Sequence, residues 1–179
     1  IYAVGDAVEV THFVTGQKVL ISLAGPANKQ GRIAADNICG GNSHFTGSQG
    51  SSVLKLFGLT AASTGINEKT ARAAGIAYDK VVLFPASHAA YYPGAQSMAM
   101  KVLYEKESLR LLGAQIVGGD GVDKRIDVLA TAIRAKMTAL GLTELDLSYA
   151  PPYSSAKGPV NMAGSMIEDR VTAIRGTTV

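Results

Sequence analysis

The sequence of 179 residues has room for one domain of good size, or for a small domain together with part of another. A hydrophobic fraction of 47% supports a buried core and excludes global intrinsic disorder. The net charge is only +3, from 17 basic and 14 acidic residues, and the charges are scattered. That balance argues against a nucleic-acid-binding protein.

The compartment is indicated by what the chain lacks. The one cysteine, Cys39, cannot form an internal disulfide, so we expect a cytoplasmic protein. The apolar stretches are far shorter than the roughly 20 residues of a membrane span, and the first residues do not resemble an export signal. We therefore expect neither a membrane nor a nucleic-acid partner.

The first predicted element is a strand over residues 1–4, followed by a turn at Gly5–Ala7. A chain that opens inside a strand, without an initiating Met, is expected to be a piece of a longer protein. Asp6 would then lie at the carboxyl end of a strand, where α/β sheets bind ligands. An ordinary turn aspartate explains the same spacing equally well. Residues 18–23 form a second short apolar segment.

A helix is predicted next, over residues 26–39, because Pro26 follows a glycine and proline is favoured at the first helical position. Gly40 is expected to end this helix. Cys39 at its carboxyl end is expected to be a small packed residue, because the helix dipole there disfavours a thiolate. Small residues at helical spacing predict a buried stripe: Ala27, Gly31, Ala34 and Ile38.

Beyond a polar loop at residues 42–50, strands and helices are mixed. A short helix is predicted over residues 67–74, with Asn67 as its cap. Antiparallel strands with helices on either side indicate an α+β domain. The strands are predicted at residues 52–57, 80–85, 97–104 and 109–117, and the last two are expected to form a hairpin.

The strongest helical pattern begins after Gly121 and is predicted to continue to Leu140, with Gly141 closing it. A final short helix is predicted over residues 161–170. The apolar stripe of the longer helix recurs every three or four residues, at Val122, Ile126, Leu129, Ile133, Met137 and Leu140. Its cationic residues are expected on the other faces: Lys124, Arg125, Arg134 and Lys136.

Few side chains suggest chemistry on spacing alone. The three histidines are far apart in sequence and lack metal-ligand spacing, so no metal site is expected. Glycines 118–121 match no phosphate-binding motif and are expected to form a plain strand-to-helix turn. Two tyrosine-rich segments, around Tyr91 and Tyr149, are more informative, because phenols can stabilise a developing anion. Half-buried tyrosines that pack at an interface are the alternative.

Several motifs in the same order resemble FAD-dependent pyridine nucleotide-disulfide reductases. IYAVGDA at residues 1–7 resembles the second flavin-binding signature of that family, in which the aspartate binds the ribityl-phosphate part of FAD. LAGPANKQGR at residues 23–32 resembles the helix start that points backbone donors at the flavin, an arrangement that suits a helix N-terminus. The resemblance implies FAD-binding residues at Gly5, Asp6, Ala7, Ala24, Gly25, Ala27 and Tyr149.

The remainder of the chain resembles the carboxyl-terminal dimerisation domain of the same family. LLGAQIVG at residues 111–118 is its most specific strand, and YAPPYSSAK at residues 149–157 followed by PVNMAG at residues 159–164 is its end signature. The implied organisation is a remnant of the FAD-binding domain over residues 1–45 and a dimerisation domain over residues 46–179. A homodimer is the implied assembly.

Within the family the chain is most similar to coenzyme A-disulfide reductases. In that subgroup two tyrosines reach the redox cysteine of the partner subunit, which implies catalytic roles for Tyr91 and Tyr149. Lys29 and Lys157 fall where the subgroup contacts coenzyme A. One residue departs from the family pattern, because Gly158 stands where an aspartate usually follows the lysine.

The resemblance also implies what this stretch does not contain. The first flavin-binding motif, the nicotinamide domain and the redox cysteine of the family belong to an upstream part, so we expect no turnover from the chain alone. The implied whole protein uses NAD(P)H and FAD to reduce coenzyme A disulfide. The alternatives are an NADH oxidase, peroxidase or persulfide reductase on the same frame, or a dimerisation module without catalysis.

Overall fold

The structure, a computed structural model, describes residues 1–176. Its main body is a five-stranded antiparallel sheet in the order β3–β4–β7–β6–β5, and a small hairpin, β1–β2, precedes it. The elements are β1 (Glu9–Thr11), β2 (Lys18–Leu20), α1 (Ala24–Ile38), β3 (Ser52–Leu56), β4 (Leu59–Gly65), α2 (Glu68–Ala73), β5 (Tyr78–Leu83), β6 (Met98–Glu105), β7 (Leu111–Gly118), α3 (Val122–Arg134) and α4 (Pro159–Gly176).

The core lies on one face of this sheet. Alternate residues of β6 point into it, since Met98, Met100 and Val102 are almost completely buried. The apolar stripe of α3 packs on the same face, with Val122 and Leu129 fully buried, and Ile167 of α4 joins the same cluster. The α+β class and the antiparallel pairing of β6 with β7 are confirmed.

On the opposite face of the sheet, α2 packs over one end through Ala71, which contacts a small cluster with Leu103 and Leu112. Asn67 caps α2 as predicted, because its side chain accepts a hydrogen bond from the Thr70 amide at 2.9 Å. The carboxylate of Glu68, in α2, accepts hydrogen bonds from Lys80 Nζ at 2.7 Å and from Lys101 Nζ at 3.1 Å. These contacts tie the helix to β5 and β6.

The uncovered end of that face is apolar. Paired positions on neighbouring strands place Leu54 opposite Ala61, Ala61 opposite Val117, and Val117 opposite Ala99. We refer to these four residues as the apolar row. The side chain of Phe84, just after β5, is also exposed.

The amino-terminal strand prediction is wrong. Residues 1–4 have no regular structure, and Gly5–Ala7 forms a single 3₁₀ turn. Within the residues described, no strand pairs with this segment, so its backbone groups have no ladder to join. The predicted stripe of α1 is not a buried face either. Gln30 is the residue of α1 that is buried, while Ile38 and Cys39 are exposed.

The helix after Gly121 ends earlier than its apolar spacing predicts. It stops at Arg134, because Lys136 adopts a left-handed conformation with φ of 56°. The Met137 amide then donates to the Ala132 carbonyl at 2.9 Å, closing a Schellman motif. Met137 and Leu140 still pack against the core, but from outside the helix.

Two further differences from the prediction concern the strand β4 and the bounds of the final helix. The strand β4, rich in Thr, Ala and Ser, has no strong apolar alternation and is not predicted by the sequence pattern. The final helix runs from Pro159 to Gly176, longer than the predicted 161–170. Within residues 1–176, no helix is both long and apolar enough to span a membrane.

Candidate functional site

The two tyrosines singled out by the sequence are in contact. Tyr91 lies in the loop between β5 and β6, and Tyr149 lies in the segment before α4, 58 positions away. Their phenol oxygens are 3.1 Å apart. Both side chains are exposed, Tyr91 by 76% and Tyr149 by 46%. The pair is therefore open to a ligand or to another protein surface.

The hydrogen bond between the two phenols favours the neutral form of Tyr149. It raises the pKa of Tyr149 above its ordinary value, with smaller contributions from burial and from the charge that Tyr91 would carry if ionised. When one hydroxyl donates to the other, the acceptor still has its own proton to donate. The pair can thus supply a hydrogen bond to an anion that approaches from solvent.

Backbone hydrogen bonds join the two segments that carry the pair. The Ala89 amide donates to the carbonyls of Pro151 at 3.3 Å and Ser154 at 3.0 Å. The ring of His88 lies edge-on to Tyr92, with 5.7 Å between ring centroids. The tyrosine segments are consequently one packed unit.

Arg125 lies directly beneath this unit, and the prediction that it lies on a face away from the apolar stripe is wrong. Only 4% of it is exposed, and its Nη2 donates to the carbonyls of Ser87 at 2.6 Å and Tyr153 at 3.0 Å. Burial lowers the pKa of Arg125 from its ordinary value. The signal for burial was present in the sequence, because Arg125 lies three residues after Val122 and four before Leu129, on the apolar stripe.

Six of the seven residues implied for FAD lie in the amino-terminal part of the chain, and the seventh, Tyr149, lies with Tyr91. The Gly5 amide donates to Gln30 Oε1 at 2.7 Å, which holds the Gly5–Ala7 turn against α1. A Cβ placed on Gly5, whose φ is +83°, would lie 4.0 Å from Ala27 Cβ. Asp6 is exposed beside this contact.

The first turn of α1 fits the expectation that it faces an acceptor group. Its N-cap, Leu23, makes no side-chain hydrogen bond to the helix, and a Cβ on Gly25 would meet open space. Backbone donors at Ala24 and Gly25 are therefore available to a ligand. Among the described residues no hydrogen bond joins this region to Tyr91 or Tyr149.

The two lysines implied for coenzyme A are not brought together. Lys29 lines a cleft of about 1060 Å³ between α1 and α3, which also includes Arg32, His44 and Arg134. Lys157 lines a separate cleft of about 350 Å³ beside Phe84. The two lysines therefore do not line a common cleft.

Gly158, the departure from the family pattern, fits its surroundings in this chain. A Cβ there would lie 3.3 Å from Asn161 Oδ1 and 3.4 Å from Ser154 Oγ, closer than most side-chain contacts. The glycine thus lets the segment after Lys157 pack closely at the start of α4. Within residues 1–176, no group of three or more His, Cys, Asp or Glu side chains is arranged to hold a metal ion.

Comparison with known proteins agrees with this architecture. The profile of the pyridine nucleotide-disulphide oxidoreductase dimerisation domain matches residues 51–159. A coenzyme A disulfide reductase of Staphylococcus epidermidis is 38% identical over 165 residues, which is 92% of this chain and 37% of that protein. The chain thus spans little more than a third of this relative. Proteins named NADH oxidase also occur among the relatives.

Solved structures of similar proteins match this chain at higher sequence identity. The reduced CoADR-RHD of Bacillus anthracis is 51% identical, with a TM-score of 0.92 over 96% of this chain and 31% of that one. The NAD-dependent persulfide reductase of A. fulgidus is 45% identical, with a TM-score of 0.94 over 96% of this chain and 32% of that one. The chain therefore belongs to the pyridine nucleotide-disulphide oxidoreductase family and contains its dimerisation domain.

Proposed function

We propose that the whole protein is a FAD-dependent oxidoreductase that uses NAD(P)H to reduce coenzyme A disulfide. The observation that carries this proposal is the hydrogen-bonded pair of exposed phenols, Tyr91 and Tyr149, 3.1 Å apart. A pair of phenol donors is suited to a leaving thiolate, which gains negative charge as a disulfide is cleaved. Relatives named coenzyme A disulfide reductase support the choice of substrate.

The proposal assigns residues 1–45 to the FAD-binding domain and residues 46–179 to the dimerisation domain. FAD, when bound, would pass electrons from NAD(P)H to the disulfide. Gly5, Asp6 and Ala7 would bind it at the turn, and Ala24, Gly25 and Ala27 would bind it at the start of α1. Tyr149 would lie against the flavin of the partner subunit. The single cysteine, Cys39, still favours the cytoplasm.

In this proposal the phenol pair acts across a homodimer. Tyr91 and Tyr149 would project into the partner's active site and donate a hydrogen bond to the coenzyme A thiolate. Lys157 would come from the same chain as the tyrosines and Lys29 from the partner. The separation of the two lysines into different clefts supports this arrangement. The exposed apolar row gives a surface that a second copy can cover.

The experiment compares the whole protein with its Tyr91→Phe/Tyr149→Phe variant under anaerobic conditions. Turnover with coenzyme A disulfide should fall by about tenfold or more, because the loss of one donor to a developing anion costs up to roughly 3 kcal/mol. Flavin reduction by NAD(P)H, followed by its absorbance, should change little. Tyr78→Phe, at the ion cluster of α2, is the matched control for loss of a tyrosine hydroxyl. Unchanged disulfide turnover in the double variant would contradict the assigned role.

Persulfide reduction is the second candidate, favoured by the 45% identity to the A. fulgidus enzyme. The same assay separates the candidates by acceptor: coenzyme A disulfide, a coenzyme A persulfide, or oxygen in a matched aerobic run. NAD(P)H consumption that needs oxygen and ignores both sulfur acceptors would indicate an oxidase. A whole protein that dimerises without binding flavin would indicate a dimerisation module without catalysis.

A further inference from the structure

One buried cation links the two segments that carry the phenol pair. Nη2 of Arg125 donates to the Ser87 carbonyl at 2.6 Å and to the Tyr153 carbonyl at 3.0 Å. Ser87 precedes Tyr91 by four residues, and Tyr153 follows Tyr149 by four. A single nitrogen atom therefore bonds to both segments close to their tyrosines.

The side chain that makes this link is itself held in place. Nη1 of Arg125 donates to the Gly121 carbonyl at 3.0 Å, one turn earlier in the chain. A Cβ on Gly121 would overlap Nη1, so the glycine leaves the space that the guanidinium occupies. Gly121 also has a φ of +67°, which favours glycine at this position. The link is thereby anchored to α3, a rigid element of the core.

Both the charge and the shape of the Arg125 guanidinium suit it to link the two segments. Asp120 and Asp123 favour the protonated guanidinium, although burial opposes it, so the cation is retained while its hydrogen bonds go to carbonyl oxygens. A planar guanidinium presents several donors in fixed directions, whereas an ammonium is a point charge on a flexible stem. The same three acceptors would not be satisfied equally by lysine.

We propose that Arg125 is a positioning residue that sets the distance between the hydroxyl groups of Tyr91 and Tyr149. The two segments are also joined through the Ala89 amide, so Arg125 adds to an existing connection. Its importance for turnover rests on the proposed function of the tyrosine pair. Its effect on the distance between the two hydroxyl groups does not depend on that function.

The test measures the contact directly, in the whole protein labelled with ¹³Cζ-tyrosine. The pKa of Tyr149 is read from an NMR titration, with its signal assigned by comparison with Tyr149→Phe. Tyr91→Phe should lower this pKa, because the Tyr91 hydrogen bond is the main cause of its upward shift. Arg125→Met, similar in length but uncharged, should lower the pKa by a similar amount. Lys124→Met, an exposed neighbour on α3, should leave the pKa unchanged.

An Arg125→Met protein that folds and keeps the wild-type titration of Tyr149 would overturn the proposal. If Arg125→Met does not fold, Arg125→Lys decides: a lowered pKa supports the proposal and an unchanged one overturns it. The double variant Tyr91→Phe/Arg125→Met should titrate as Tyr91→Phe alone, because the contact is already lost. An additional shift of similar size would mean that Arg125 acts on Tyr149 by another route.

Disulfide turnover on the same variants separates this proposal from the proposed function. Arg125→Met should lose turnover on the order of tenfold, with flavin reduction preserved. A shifted Tyr149 pKa with unchanged turnover supports the positioning role and contradicts the catalytic role of the pair. An unchanged pKa with reduced turnover overturns the positioning role and leaves the catalytic role intact.

Discussion

The amide of Lys136 donates to the carbonyl of Ile133 at 2.9 Å and turns the chain out of α3, with Lys136 itself at a φ of 56°. Two other helices end with the same pattern. In α1 the corresponding residue is Gly40, with φ of 92°, and in α2 it is Gly75, with φ of 66°. Lys136 thus occupies the position at the end of α3 that glycine occupies at the ends of α1 and α2. Its side chain makes the left-handed conformation sterically less favourable than it is for glycine.

This relationship predicts a stabilising substitution. Lys136→Gly should raise the free energy of unfolding by about 1 kcal/mol, because glycine adopts the left-handed conformation without strain. Lys124→Gly, inside the same helix and also exposed, should lower it by about 1 kcal/mol. Urea denaturation of the two variants measures both effects. Equal destabilisation by the two substitutions would contradict the assigned strain at Lys136.

The ion cluster at α2 predicts sensitivity to acid. The lysines hold the pKa of Glu68 down from 4.5 to about 2, with the Lys80 hydrogen bond as the largest cause and Lys101 next. A carboxylate whose pKa is lowered by folding stabilises the native state above its unfolded pKa. That contribution is lost as pH falls from about 4.5 through about 2.

The loss of stability caused by replacing Glu68 should therefore become smaller as the pH falls. We expect Glu68→Gln to be less stable than wild type at neutral pH, and the difference to shrink as the pH approaches 2. Urea midpoints measured across this range provide the test. Glu107→Gln, in the exposed turn between β6 and β7, is the control and should change the pH profile little. Parallel profiles for wild type and Glu68→Gln would count against the lysine contacts.

The apolar row predicts which surface a second copy covers. Val117 is at the centre of the row and is 43% exposed, so Val117→Glu would place a charge in the middle of that contact. Sedimentation of the whole protein should show a dimer for wild type and a shift toward monomer for this variant. Ile38→Glu, at the exposed carboxyl end of α1, should remain dimeric. A dimeric Val117→Glu protein would exclude this face.

The sequence predicted the α+β class and most elements, because their signals are local. Alternation marks β6, glycine marks the ends of α1 and α2, and Asn67 has the side chain of a cap. The end of α3 was not predictable in this way, since Lys136 shows no glycine signal and Met137 continues the apolar spacing. Residues 1–4 have the composition of a strand, but a strand also requires a partner, which composition does not supply.

The candidate site was predicted unevenly for the same reason. Motifs identified Tyr91 and Tyr149 as separate residues, and only the tertiary structure brings their hydroxyls together. Arg125 was predicted on a face other than the apolar stripe, although its spacing matched that stripe. A buried guanidinium is recognised from the carbonyls that surround it, and these come from segments distant in sequence.

The separation of Lys29 and Lys157 into different clefts has a thermodynamic consequence. In the proposed arrangement, a ligand held by Lys29 of one chain and by Lys157 of its partner would need both chains. Subunit association and ligand affinity would then be linked, each strengthening the other by the same factor. Dilution of the protein would weaken the ligand, and saturating ligand would hold the subunits together at concentrations where they otherwise separate.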